Sequence, residues 1–207
     1  MSSSQTHSES YSLQNLRSGD RSEFARLVES QSGVIYRLAL KMLGNPQDAE
    51  DVLQETFIKA YRGLPKFDGR SSLSTWLYRI ATNEALMALR RRKQVELSLE
   101  EPHDSADEDQ EPLQITDWCC LPEQELLSGE GRAYLDQAIQ ALPPNLKAVF
   151  LLRDIEGLST QETGAVLKLS ETAVKTRLSR ARLRLRERLT SYYGEMTRQR
   201  MAAGASE

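Results

Sequence analysis

Between Glu171 and Arg188 the chain carries seven cationic residues and two acidic ones. At about 100° per residue, Val174, Leu178, Ala181 and Leu185 fall on one stripe of a helix, and Thr172, Lys175, Thr176, Ser179 and Arg180 fall on the opposite face. Hydroxyls and cations in that arrangement match the acceptors and donors on base edges in the major groove and the phosphates that flank them. An ordinary solvated basic helix would have the same composition, so what precedes it decides the reading. Ser159-Thr160-Gln161-Glu162 has the form of a capping box, in which Ser159 accepts from a backbone N–H three residues on while Glu162 reaches back. A short helix to about Leu167, a turn at Lys168-Leu169-Ser170 and a long helix from Glu171 then form a helix-turn-helix.

Two further faces could do recognition chemistry. In a helix from Asn45, Ala49, Val52, Leu53, Thr56 and Ala60 point one way, while Asp51, Glu55, Ile58 and Arg62 point roughly the other and Gln54 flanks them. Carboxylates beside an exposed Ile suit a basic protein partner, although one exposed Ile is unremarkable. In a helix from Leu73, the spacing assigns Trp76, Leu77, Ile80, Ala81 and Met87 to the core. Thr75, Arg79, Thr82, Asn83 and Arg90 are assigned to an open face. Phe67 stands in the loop before it. An aromatic beside Arg and Asn can stack and hydrogen-bond an unpaired base, and it can equally plug the top of the core.

The elements that must position these faces are helical. Phe24, Leu27 and Val28 begin an amphipathic pattern that resumes at Val34, Ile35, Leu38, Ala39 and Met42, with Gly44 as its stop. Asn45 is an N-cap candidate followed by Pro46 at the first helical position, with Asp48 and Glu50 in the first turn, where the helix dipole favours anions. That helix runs to about Leu64. Pro65 to Arg70 reads as a turn before a long helix from about Leu73 to Lys93. In the second half, Leu135, Ala138, Ile139 and Leu142 precede Pro143-Pro144, and Leu146, Val149, Phe150 and Leu152 precede Gly157. The expected fold class is all-α, two small helical domains joined by a flexible acidic linker.

Charge follows the same division. The net charge of -3 resolves into +4 over residues 1–93, -12 over 94–131 and +5 over 132–207. The middle segment holds no Lys or Arg, so it should stay solvated between two lobes suited to a polyanion. The boundaries expected are a disordered N-terminus at 1–10, a first domain at 11–93, the acidic linker at 94–131, a second domain at 132–193 and a C-terminal tail at 194–207. Met1 to Ser10 lacks a signal-peptide core and no apolar run approaches membrane-spanning length, which places the chain in the cytoplasm without membrane insertion. The two cysteines, Cys119 and Cys120, are adjacent and form neither a disulfide framework nor a Cys-x-x-Cys knuckle. They read as ordinary thiols, with redox sensing as the alternative. His7 and His103 both lie in segments expected to be unstructured, so no catalytic constellation, metal site or cofactor is expected and the chain does not read as an enzyme.

At these residues the sequence resembles the extracytoplasmic-function (group 4) class of the bacterial sigma-70 family. The stretches that carry the resemblance are Asp48 to Phe57, Phe67 through Thr75-Trp76-Leu77-Tyr78-Arg79-Ile80-Ala81 to Arg92, and Leu142-Pro143-Pro144 through Arg182. They cover both lobes in the family's order. The resemblance implies that the first lobe is sigma region 2 and the second region 4, and that the chain directs RNA polymerase core to promoter DNA in a stress or signal response, under the control of an anti-sigma factor. It further implies that Asp48, Asp51, Gln54 and Glu55 dock on core polymerase. Phe67, Arg79, Asn83 and Arg90 would contact the -10 element, with Phe67 and Asn83 lining a pocket for a flipped base. The -35 element would be read by Thr172, Lys175, Thr176, Arg177, Ser179, Arg180 and Arg182. The linker would thread toward the RNA exit path.

The chain departs from the family pattern at Thr163, where an apolar residue is usual, at Gly164, where Ala is usual, and at Lys168, where the turn carries Gly. Thr163 and Gly164 are expected to weaken the first helix of the motif by about 1 kcal/mol each and to loosen its docking. Two rival functions are a helix-turn-helix regulator acting without polymerase and a sigma-like partner-switching protein. The first needs a dimerisation element to read paired half-sites, and no heptad seam is visible. The second should have lost the DNA-facing cations, yet Arg79, Lys175 and Arg180 are present.

Overall fold

A computed structural model describes the backbone of residues 11–99 and 129–204, and the side chains of 11–94, 131 and 133–192. All regular elements among the described residues are helical. The linker from 100 to 128, with Cys119, Cys120 and His103, lies outside the described residues, as do 1–10 and 205–207.

The first lobe begins with the short α1 (Leu13–Arg17) and continues into α2 (Arg21–Leu43), where Asp20 Oδ1 accepts from the N–H groups of Ser22 and Glu23 at 2.8 and 3.2 Å. The two apolar patterns read around Gly33 form one continuous helix, because Leu27 and Ile35, eight residues apart, fall on one face, and Leu38, Ala39 and Met42 continue it at three- and four-residue spacing. Gly44 ends α2 at φ 73°, in the left-handed region that needs no Cβ. Asn45 then caps α3 (Pro46–Gly63), its Oδ1 accepting from Gln47 and Asp48 N–H at 2.8 and 3.2 Å. A 3-10 turn (Leu64–Lys66) leads by way of Phe67 to α4 (Leu73–Leu99). Helices α2, α3 and α4 all pack on one another.

The second lobe comprises α5 (Gly129–Gln140), α6 (Pro144–Phe150), α7 (Thr160–Leu167) and α8 (Glu171–Gly204). A π-helical turn, Leu151–Ile155, continues α6 and ends before Gly157 at φ 74°. Helix α7 carries the capping box: Glu162 N–H donates to Ser159 Oγ at 3.1 Å and Ser159 N–H donates to Glu162 Oε2 at 2.8 Å. The backbone of α8 stays helical to Gly204, through what the sequence suggested to be a tail.

The lobes are in contact, and one continuous apolar cluster runs from Leu38 and Met42 of the first to Ile139, Leu142 and Leu146 of the second. Tyr78 OH donates to Glu156 Oε2 at 2.9 Å and Thr75 Oγ1 to Glu162 Oε1 at 3.4 Å. Thr75, expected on an open face, is therefore buried. Thr82 is buried too, at 1% exposure.

Candidate nucleic-acid interface

The helix-turn-helix owes its tight corner to Gly164. A Cβ on this residue would lie 2.7 Å from the Leu169 carbonyl oxygen, nearer than any side chain tolerates against backbone. The Gly164 carbonyl accepts from the N–H groups of Lys168 and Leu169, the latter at 2.9 Å, and these bonds close the end of α7. Lys168 takes the left-handed conformation, φ 57°, that the turn requires. The corner is consequently close-packed, contrary to the looser docking expected from Gly164 and Thr163, and Thr163 is fully buried in it. Its Oγ1 has no hydrogen-bond partner.

This corner presents α8. Val174, Leu178, Ala181 and Leu185 are buried as the periodicity requires. Thr172, Lys175, Thr176 and Ser179 are exposed, and Arg177 and Arg180 are partly exposed beside them. Thr176 Oγ1 donates to the Thr172 carbonyl at 3.0 Å, which holds the hydroxyl against the helix. Arg182 differs from the others: its Nε and Nη2 bind both carboxylate oxygens of Asp154 at 2.8 and 2.7 Å, an arrangement that raises the guanidinium pKa further. It ties α8 to the π-helical turn, a role that no spacing in the sequence reveals.

A second surface lies between α3 and α4. Asp48, Asp51, Gln54 and Glu55 line one wall of an open groove of about 820 Å³, and Glu84, Met87, Ala88, Arg91 and Arg92 line the other. All four predicted docking residues are thus brought together. Lys59 crosses the groove, 3.3 Å from Glu55 and 2.7 Å from Glu84, and its hydrogen bond to Glu84 holds the ammonium pKa above the ordinary lysine range. Ile58 and Met87 are exposed apolar members, at 44% and 40%.

Met87 corrects the sequence reading of α4. The buried stripe is Leu77, Ala81 and Ala85, whereas Arg79, Asn83, Met87 and Arg90 occupy the open side. Residues 76, 83, 87 and 90 repeat at seven, four and three, so Trp76 begins the same open side as Asn83. It is buried only because Phe67 folds over it, ring centroids 5.0 Å apart, and because Gly63 leaves room for its ring edge. The spacing contained this signal, which the size of Trp76 and Met87 obscured. Phe67 itself is 6% exposed, so it closes the top of the core while standing at the head of the open row.

Comparison with known proteins fits these two lobes. Residues 27–95 match the family model for Sigma-70 region 2, and residues 132–185 match that for Sigma-70, region 4. The chain is 36% identical over 177 residues to the ECF RNA polymerase sigma factor SigW of Bacillus subtilis, covering 86% of this chain and 94% of that protein. The chain belongs to the ECF RNA polymerase sigma factors. It is also 36% identical over 173 residues to the RNA polymerase sigma-H factor of Pseudomonas aeruginosa, covering 82% and 88% of the two chains. Among solved structures, this sigma factor is similar to CnrH in its complex with the cytosolic domain of CnrY, with a TM-score of 0.61, 26% identity, and 86% and 95% of the chains covered. Its fold is also that of the sigma factor RpoE of Bartonella quintana, solved with the anti-sigma factor NepR, with a TM-score of 0.60, 24% identity, and 81% and 97% covered. No helix among the described residues is long and apolar enough to cross a membrane.

Proposed function

We propose that this sigma factor holds core polymerase by the α3–α4 groove, captures the -10 element along the open row of α4 and reads the -35 element with α8. The observation that carries the -10 assignment is the row itself. Trp76 and Asn83 stand two helical turns apart on one side of α4, about 10 Å along its axis, with Arg79 between them and Phe67 folded on Trp76. An apolar aromatic floor beside an exposed amide and guanidinium matches an extruded base, which needs a flat surface and paired donor and acceptor atoms. Phe67 contributes the floor through Trp76, Asn83 the base contacts, and Arg79 and Arg90 the contacts to phosphates.

On α8, Thr172, Lys175, Thr176, Ser179 and Arg180 form the base-reading face, with Arg177 at its edge. Arg182 is assigned to bracing, since its guanidinium is already bound at both ends by Asp154. The boundaries proposed for the two working domains are 11–93 and 132–193. The factor is a specificity subunit rather than a catalyst, acts in the cytoplasm in a stress or signal response, and is held in check by an anti-sigma factor, a reading supported by the similar fold of RpoE from Bartonella quintana, solved in complex with the anti-sigma factor NepR.

The test is strand opening. Asn83→Ala should slow open-complex formation, read by permanganate footprinting on matched and single-base-substituted promoters, and should blur discrimination at one -10 position. Binding to a -35 fragment should be unchanged. Wild-type opening rates with the same base preference would remove Asn83 from the pocket.

A further inference from the structure

Lys59 is a cation set among the carboxylates that line the α3–α4 groove. On α3 it follows Glu55 by one turn, with Nζ 3.3 Å from Glu55 Oε1, and it reaches across to α4, where Nζ lies 2.7 Å from Glu84 Oε1. The two carboxylates differ in setting. The Glu84 side chain is 9% exposed, and Lys59 is its one ion-pair partner among the described residues. The Glu55 side chain is 43% exposed. A buried carboxylate left unpaired is costly, so Glu84 is the partner that requires Lys59 and fixes it in place. The bond to Glu84 also contributes more than that to Glu55 to holding the ammonium pKa up. Glu55 therefore takes the longer and more exposed arm of a shared cation, the arm that a partner displaces most readily.

We propose that Lys59 is a specificity-determining residue of core docking, an internal competitor for Glu55 that lowers the affinity of this sigma factor for core polymerase. The proposal rests on the docking face proposed above. A basic partner that takes Glu55 has to displace Lys59 from it, and it meets the repulsion of the same ammonium. Glu84 moderates both effects, because it anchors Lys59 to α4 and offsets its charge. The position of residue 59 thus serves two ends that conflict: neutralising a buried carboxylate between the helices, and leaving Glu55 open to a cation from outside.

Variants of the full-length chain, titrated against purified core polymerase, separate competition from net charge and from packing. Glu84→Gln leaves Lys59 with Glu55 alone and makes the groove more positive by one charge. It should weaken binding about two- to five-fold, the range of a half-exposed ion pair. Lys59→Met with Glu84→Gln restores the wild-type net charge and keeps an apolar stem at residue 59, yet frees Glu55. This pair should bind core about two- to five-fold more tightly than wild type. Substitutions that merely loosened the contact between α3 and α4 would move both variants the same way, toward weaker binding. In a Glu55→Gln background the same pair should leave affinity unchanged, since the contested carboxylate is gone. Circular dichroism checks that each chain is folded. Should the methionine pair lose helicity, Lys59→Gln with Glu84→Gln, which retains polar partners across the groove, takes its place with the same expectation. A folded pair that binds no more tightly than wild type, or a gain that persists in the Glu55→Gln background, overturns the competition. Affinity unchanged by Glu55→Gln alone would instead count against docking by this face.

Discussion

At the residue scale, two departures from the usual helix-turn-helix pattern meet at one corner and act in opposite directions. Gly164 makes room for the Leu169 carbonyl, and Lys168 bears the left-handed backbone that glycine would otherwise take. The two substitutions back to the family pattern should therefore have opposite signs. Gly164→Ala gains helix propensity but forces a Cβ to 2.7 Å from backbone, so it should lower stability by about 1–3 kcal/mol. Lys168→Gly relieves the left-handed strain at a cost in unfolded-chain entropy, and should be neutral or stabilising by up to about 1 kcal/mol. Urea titrations of the two variants check both; a stable Gly164→Ala would mean that the corner can widen freely.

Elements carry the next level of argument. Helix α7 depends on the capping box, and Glu162 has its pKa lowered first by the Ser159 N–H and then by the Ser159 side chain. With the folded value below the unfolded one, the carboxylate contributes stability that is complete above about pH 4.5 and is lost as pH falls through the lower folded value. Glu162→Gln should therefore cost about 0.5–1 kcal/mol at pH 7, and the gap to wild type should close below pH 4. A pH-independent gap in chemical denaturation would assign the effect to packing. For α3, Asp51 is exposed and Glu55 is partly so, and neither supports the core. Asp51→Arg with Glu55→Arg should abolish capture of core polymerase in a pull-down while circular dichroism stays unchanged, because it sets cations against a basic partner. Retained capture with intact helicity would move the docking face elsewhere.

For the whole molecule, the apolar cluster that joins the lobes makes folding of one depend on the other. Thermal unfolding of the free chain should give one calorimetric peak whose calorimetric and van't Hoff enthalpies agree. Tyr78→Phe removes the donor to the Glu156 carboxylate and should shift that single peak down by about 1 kcal/mol of stability. The phenol stays protonated across the accessible range, since burial and the neighbouring carboxylate raise its pKa. Two separate peaks, only the first moved by Tyr78→Phe, would show that the shared cluster does not couple the lobes.

By itself the sequence determined the helices and their ends, because caps and apolar spacing are local. Asn45 before Pro46, Gly44, the Ser159–Glu162 box and the stripe Val174, Leu178, Ala181 and Leu185 each act within a turn or two of chain, and each stands where the pattern put it. The acidic face of α3 and the polar face of α8 were legible for the same reason. Only the tertiary structure decided that Trp76, which the spacing places on the open side of α4, is buried, since Phe67 from a different segment folds over it. Burial of Thr75, the Arg182–Asp154 brace and the capping of α2 by Gln140 and Lys147 depend on partners 28 to 105 residues away. Periodicity describes how one helix divides its surface between apolar and polar; it holds no information on which other segment folds back to cover it.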